Sequence, residues 1–327
     1  MFACPISDLL ERFGGVEVFI FSDVTYGACC IDDFAARALN CDLLVHYGHS
    51  CLVPVDITTA SPSELPLATQ IMYVFVDVHF DTSHMIESIK LEFPGQSSRI
   101  ALLGTIQFSG ALHQAKLELD KYYSFEVQVP QAKPLSAGEV LGCTSPVLTD
   151  VEALIFVADG RFHMESAMIA NPNIPTLRYD PYSKAFTREG YDFKLLNRTR
   201  RSEIERAKQA KNWGIILGTL GRQGNPKILS RITEAINQKF PAANIFVLLL
   251  SEISPAKLRS LEEKVDAWVQ IACPRLSIDW GKEISSKPLL TSFEFFVAVG
   301  LAEWKTDYYP QDYYSRDGGV WSNHYIV

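Results

Sequence analysis

At 327 residues the chain is roughly two to three times the length of a typical domain, and 47% of it is apolar, enough for more than one hydrophobic core. Lys plus Arg at 30 against Asp plus Glu at 38 leaves a net charge of −8, and no long block of like charge occurs, which argues against a nucleic-acid surface. The opening MFACPISDLLERFGG has no basic region leading into a sustained apolar stretch, and no run approaches the roughly 18 apolar residues of a membrane span; the chain reads as soluble, unexported and cytoplasmic, with no membrane or nucleic-acid partner.

Taken in order, β-branched and aromatic runs alternate with amphipathic segments of helical length. VEVFIF (16–21) predicts a strand and DDFAARAL (32–39) a helix. MYVFVDV (72–78) and SHMIESIKL (83–91) repeat the pattern, as do RIALLGT (99–105) and GALHQAKLELDKYY (110–123). Then come ALIFVAD (153–159), WGIILGT (213–219) before KILSRITEAINQKF (227–240), NIFVLLL (244–250) before PAKLRSLEEKV (255–265), and AWVQIAC (267–273). Near-continuous apolar strands separated by helices predict an α/β fold of parallel sheets covered on both faces. Leu229, Ile232, Ile236 and Phe240 recur at steps of three and four, a core-facing stripe. Ser254 followed by Pro255 marks a helix start. Two linkers, 53–66 and 179–192, divide the chain into domains at 1–66, 67–182 and 183–327.

Seven cysteines without a secretory signal argue against a disulfide framework and leave thiols, thiolates or metal ligands. Cys29, Cys143 and Cys273 each end a strand or sit in the loop after one, and each lies in a different piece of the chain. Ligands of parallel sheets bind beyond the carboxyl ends of strands, so three such ends can converge on one site. Three thiolates with an open position suit either zinc with a bound water or an iron-sulfur cluster with one iron free for substrate. Cys4, Cys41 and Cys51 read as packed thiols. His46, Tyr47 and His49 lie at one strand end and Asp159 and His163 near another; they either line a cleft or are satisfied loop residues. The glycines of GTLGRQGN (218–225) either admit a close backbone approach or simply make a turn. The aromatic tail WKTDYYPQDYYSRDGGVWSNHYIV (304–327) reads as a layer over the third domain or as a protein-protein surface. No HxxEH, Walker or GxGxxG fingerprint is present, which counts against a zinc-dependent or nucleotide-binding enzyme.

VTYGACCIDDFAARALNCDLLVHYGHSCLVPVD, LGCTSP, VADGRFHMESAMIANP, GTLGRQGN, IACPRLSIDWG and PLLTSFEFFVAVG together resemble the diphthamide synthesis family, over nearly the whole chain. The resemblance implies three similar α/β domains in pseudo-threefold arrangement, each giving one cysteine to a 4Fe-4S cluster. It also implies an atypical radical transfer of the 3-amino-3-carboxypropyl group from S-adenosylmethionine to a histidine of translation elongation factor 2. The family's first motif falls on Gly27, Ala28 and Cys29, which makes Cys29 the implied ligand and Cys30 its neighbour, with Cys143 and Cys273 in the other two places. Arg275, Gln223 and Gly221 are the implied neighbours of the co-substrate, Arg275 as a bidentate partner for its carboxylate or else a structural ion-pair partner. The implied partners are a related second subunit, a small metal-binding electron carrier and the elongation factor itself. Family members carry an upstream strand, so domain 1 of this chain is expected to lack one. The rival implied by the same family is a non-catalytic interaction subunit.

Overall fold

A computed structural model describes residues 2–21, 29–52, 69–94, 98–122, 125–315 and 318–323. It is α/β, with parallel sheets flanked by helices. The first region holds α1 (Ala3–Gly14), α2 (Asp33–Ala38), β1 (Leu43–Gly48) and β2 (Gln70–Phe75), with β1 and β2 paired in parallel from Leu43 opposite Gln70 to Gly48 opposite Phe75.

The middle region runs α3 (Ser83–Glu92), β3 (Ser98–Gly104), α4 (Ser109–Tyr122), β4 (Phe125–Gln128), β5 (Ala153–Val157), α5 (Phe162–Ala170), β6 (Thr176–Tyr179) and β7 (Phe186–Glu189). Its sheet has the order β4-β3-β5-β6-β7, parallel except for β7, which returns antiparallel to β6. The third region runs α6 (Phe193–Ala207), β8 (Asn212–Gly218), α7 (Pro226–Lys239), β9 (Asn244–Leu250), α8 (Pro255–Arg259), β10 (Ala267–Ile271), α9 (Pro274–Ile284), β11 (Leu289–Leu290) and α10 (Ser292–Ala298). Its all-parallel sheet has the order β11-β10-β8-β9.

The apolar runs explain which strands are central. Every residue of β5 and of β10 is buried, as a strand covered on both faces must be. On α7, Ile228, Ile232 and Ile236 are fully buried against Trp213 and Val269, with Leu229 and Phe240 half-buried against the same cluster, so the predicted stripe faces the core. Asn225 starts that helix by accepting a hydrogen bond from the Lys227 amide at 2.8 Å, with Pro226 in the first turn. Ser254 holds the start of α8, as its place before Pro255 predicts, although its hydroxyl makes no capping bond and the helix stops at Arg259.

Three expectations are corrected. VEVFIF is not a strand: residues 16–21 are irregular, and Val16, Phe19, Ile20 and Phe21 are exposed. An apolar run becomes a strand only where a neighbouring strand completes its hydrogen bonds, and none of the described strands lies beside it. MYVFVDV contributes β2 to the first sheet, which therefore crosses the division at 66/67. Residues 179–192 are not a plain linker, because β7 within them closes the edge of the middle sheet. The other predicted linker, 53–66, lies outside the described residues. The tail takes the first of its two expected readings, a layer over the third region. Tyr309, Tyr313 and Tyr314 are buried, Gln311 donates to the Ser166 carbonyl at 2.8 Å, and Arg231 donates to the carbonyls of Val320 and Ser322 at 2.6 and 2.7 Å.

A buried ion pair anchors the third region. Arg200 on α6 grips both carboxylate oxygens of Glu294 on α10 at 2.6 Å and donates to the carbonyls of Ser277 and Leu289 at 2.7 Å. Tyr309 donates to the same carboxylate at 2.7 Å, so the tail is tied to this network.

Candidate functional site

The described carboxyl ends of the strands point their loops toward one buried region. β3 ends at Gly104, which bridges to Glu139 at the start of the loop carrying Cys143. β10 ends at Ile271, and Cys273 two residues later is the N-cap of α9. β8 ends at Gly218 and leads into the loop with Gln223. Cys29 and Cys30 stand just before α2. The four thiols meet there: Cys29 packs against the cluster that holds Cys30 and Cys143, and Cys273 lies within electrostatic reach of Cys29 and Cys143. Gln223 donates its amide to the Cys29 sulfur at 3.6 Å.

Three polar staples hold this meeting point, one between each pair of regions. Arg222, on the loop after β8, forms a two-point pair with Asp33 of α2 at 2.6 and 2.9 Å and stacks on the Phe34 ring at 4.2 Å. Glu139, itself buried, accepts from the Ser50 amide and hydroxyl at 3.1 and 2.8 Å, tying the loop after β1 to the Cys143 loop. Arg275, in the first turn of α9, donates to Glu165 at 2.7 Å and to the carbonyls of Phe162 and Gly142 at 2.8 and 3.3 Å. Gly142 precedes Cys143 and Arg275 lies two residues beyond Cys273, so this staple fixes one cysteine loop on the other. Gly221 completes the closure: its φ is +53°, and a Cβ there would stand 2.5 Å from the Ile31 carbonyl oxygen, so the backbone of this loop rests directly on the segment after Cys30.

The electrostatics favour one thiolate at the centre. Hydrogen bonds from Cys143 and Cys30, with smaller help from Gln223 and His49, hold the Cys29 thiol well below its ordinary range despite its burial. The contact with Cys29, together with burial, pushes Cys143 up, and burial chiefly pushes Cys273 up to about 12. His163 is pulled down to about 4, first by burial and then by His49 and Arg275, and its Nδ1 is buried without a partner among the described residues. His49 donates from Nδ1 to the Ser50 carbonyl at 2.8 Å, and His46 reaches the His49 carbonyl at 3.2 Å with Nε2. Burial lowers His46 as well.

Cys29, Cys143, Cys273, Gln223 and Gly221 are thus brought together, with His49 and His163 near them. Asp159 and Tyr47 are exposed. Arg275 is 1% exposed, places Nε between the two carboxylate oxygens of Asp279 at 3.0 and 2.9 Å, and gives its other donors to the staple. The alternative reading of it as a structural ion-pair partner is the one it fulfils. Cys4, expected to be packed, is exposed, whereas Cys51 is half-buried against the thiol cluster itself. Residues 24–28 of the first motif, including Gly27 and Ala28, lie outside the described residues. Sequence reasoning missed Asp33, Arg222, Glu139 and Tyr314, whose hydroxyl stands 3.2 Å from the Cys30 sulfur. Their partners across regions are 89 to 284 residues away, out of range of any local pattern.

The donor set limits what this region can hold. Among the described residues no three His, Cys, Asp or Glu side chains close tightly around a single ion. Cys29 and Cys143 pack with Leu52, Leu135, Leu141, Tyr313 and Tyr314, Cys273 packs with Ile216, Trp268 and Leu276, and all three are soft sulfur donors. That arrangement fits a thiolate-bound group larger than one ion, and an iron-sulfur cluster is such a group. Among the described residues no helix is long and apolar enough to cross a membrane.

Comparison with known proteins agrees with the sequence resemblance. The profile of the diphthamide synthesis protein family matches residues 1–310. The 2-(3-amino-3-carboxypropyl)histidine synthase subunit 1 of Mus musculus is 53% identical over 329 aligned positions, covering 99% of this chain and 71% of that protein. The subunit 1 of Dictyostelium discoideum is 47% identical, covering 99% of this chain and 67% of that protein. Among solved structures, Dph2 from Pyrococcus horikoshii, determined with a 4Fe-4S cluster, superposes with a TM-score of 0.71 at 27% identity, covering 94% of this chain and 85% of that one.

Proposed function

The chain belongs to the diphthamide synthesis family, and on that premise we propose that it transfers the 3-amino-3-carboxypropyl group of S-adenosylmethionine to a histidine of translation elongation factor 2. A role in diphthamide biosynthesis follows from the family itself, and the transfer is its first step. The observation that carries the proposal is the convergence of Cys29, Cys143 and Cys273, drawn from three regions of the chain, on one buried point.

In this reading the three thiolates hold a 4Fe-4S cluster and leave one iron for the co-substrate. When bound, that cluster supplies the electron that cleaves the sulfonium and frees the amino acid arm as a radical. The chain's own residues do the rest. Gln223 donates to the Cys29 sulfur and so tempers the charge of the ligand set. Leu52, Leu135, Leu141, Tyr313 and Tyr314 keep water from a reactive radical. Arg275, Arg222 and Glu139 keep the three cysteine loops in register, so Arg275 positions rather than binds. His46 and His49, both half-buried, are the residues placed to meet the substrate histidine. The pseudo-threefold plan of the family supports the same picture, with the three regions set about the cysteines. The relatives are named as subunit 1 of a synthase, which supports a related second subunit as partner; a small metal-binding electron carrier as reductant and a cytoplasmic setting complete the proposal.

The test is an anaerobic assay with reductant, the related second subunit, elongation factor 2, and S-adenosylmethionine labelled in the 3-amino-3-carboxypropyl carbons. Label on the elongation factor's histidine is the expected result. Iron-loaded chain that yields no label, while the second subunit's own cluster stays reduced, would overturn the catalytic role and leave the interaction subunit as the reading.

A further inference from the structure

β10 carries one amide side chain, Gln270, in an otherwise apolar run from Ala267 to Ile271, and it is 0% exposed. A buried amide must find partners for its donors and its acceptor. Gln270 finds them close by in the chain. Its Nε2 donates to the Cys273 carbonyl at 2.9 Å and to the Ser277 hydroxyl at 3.1 Å, and its Oε1 accepts from the Ala272 amide at 2.9 Å. The side chain therefore clamps the end of β10, the loop after it and the start of α9 together. Arg200 backs the clamp by holding the Ser277 carbonyl at 2.7 Å.

Cys273 is the residue so fixed. Pro274 favours the extended backbone found there, φ −72° and ψ 118°, and the Leu276 amide donates to the same Cys273 carbonyl at 3.1 Å. The cysteine is thus held in its own apolar setting of Ile216, Trp268 and Leu276, whereas Cys29 and Cys143 pack with Leu52 and Tyr313. A single zinc ion needs its thiolate sulfurs about 3.8 Å apart, the edge of a tetrahedron with bonds of about 2.3 Å. Closing three thiolates to that spacing draws Cys273 toward the other two, and the clamp opposes the movement. A group of several irons is larger and asks for less of it.

With Cys29, Cys143 and Cys273 as iron ligands, which this inference takes from the proposed function, we propose that Gln270 is a positioning residue that selects the cluster against a single zinc ion. It acts through the backbone of Cys273 and not on the metal itself. Partners in the shell behind a ligand commonly set affinity by roughly 10–100-fold. Here the clamp works in opposite directions on the two metals, which a merely structural role does not do.

The experiment compares wild type, Gln270→Met and Ile232→Ala. Ile232 is fully buried in the core against α7, so its truncation softens the third region without touching the Cys273 loop. Iron retention is measured on the anaerobically loaded chains against a ferrous chelator, with the visible spectrum. Zinc affinity is measured on the metal-free chains by competition with a chromophoric chelator. Gln270→Met is expected to retain iron roughly 10–100-fold less well and to bind zinc more tightly than wild type, with Ile232→Ala near wild type in both. Unchanged iron retention in Gln270→Met, zinc affinity equal to or below wild type, or the same pair of shifts in Ile232→Ala would each overturn the proposal. Should Gln270→Met not fold, Ser277→Ala decides, because it removes one of the two acceptors that hold the amide. The same signs at smaller size support the clamp, and two unchanged affinities refute it. A wild-type chain that holds no iron fails the cluster reading on its own. The zinc titrations then decide the clamp, tighter binding in Gln270→Met supporting it and equal or weaker binding refuting it.

Discussion

Replacing Arg275 by methionine tests the claim that this side chain is a staple between cysteine loops. Arg275 is 1% exposed and its partners Glu165 and Asp279 are 24% and 18% exposed. Methionine fills much of the volume but offers no donor. The buried carbonyl of Gly142 and the part-buried one of Phe162 lose their arginine donor, at about 1–3 kcal/mol each where no water replaces it. The two carboxylates lose a cation while keeping some access to water, so the total falls near the roughly 3–5 kcal/mol typical of removing one partner of a buried pair. With a slope of about 4 kcal/mol per molar, the guanidinium chloride midpoint of the metal-free protein drops by about 1 M. Arg275→Lys keeps the charge but not the planar fork and falls between wild type and methionine. The assay is equilibrium unfolding followed by tryptophan fluorescence and far-ultraviolet circular dichroism, with iron retention measured on parallel anaerobic samples. A midpoint for Arg275→Met that matches wild type, with iron retained equally, would refute the reasoning.

Gly221→Ala forces a side chain into a left-handed backbone and against the Ile31 carbonyl at 2.5 Å, so it costs about 2 kcal/mol or more and lowers iron retention; unfolding midpoints and iron content check both. Arg200→Met leaves the fully buried Glu294 carboxylate without its cation and destabilises the third region by about 3–5 kcal/mol, read as a lower unfolding midpoint in the metal-free chain. Gln223→Met removes a hydrogen bond to the Cys29 sulfur, and since such bonds favour the more negative, reduced state, the bound cluster's potential falls by roughly 40 mV, the one-electron equivalent of about 1 kcal/mol, in a spectroscopic redox titration.

Strands with a continuous apolar run and a helix behind them were legible, because β3, β5, β8 and β10 are buried on both faces and their composition records it. VEVFIF carries the same composition and is no strand, since composition reports burial potential and not the presence of a pairing neighbour. Cys143 and Cys273 were legible as strand-end residues, and the family motif singled out Cys29. What the sequence could not convey is how the loops are locked together. Asp33 with Arg222, Ser50 with Glu139, and Arg275 with Gly142 are contacts across regions, and a charged or polar residue in a loop looks the same whether it meets water or a partner 100 residues away. Arg275 shows the consequence. Its residue type matched a carboxylate-binding role, and only the geometry revealed that its donors were already committed.

The most direct test of the central claim is iron and sulfide content, with the visible absorption spectrum, of the anaerobically purified chain and its single-cysteine variants. The account predicts about four irons per chain, as one [4Fe–4S] group requires, lost in Cys29→Ala, Cys143→Ala and Cys273→Ala and kept in Cys30→Ala. Zinc in place of iron, no metal at all, or iron lost as fully in Cys30→Ala as in the other three would contradict it.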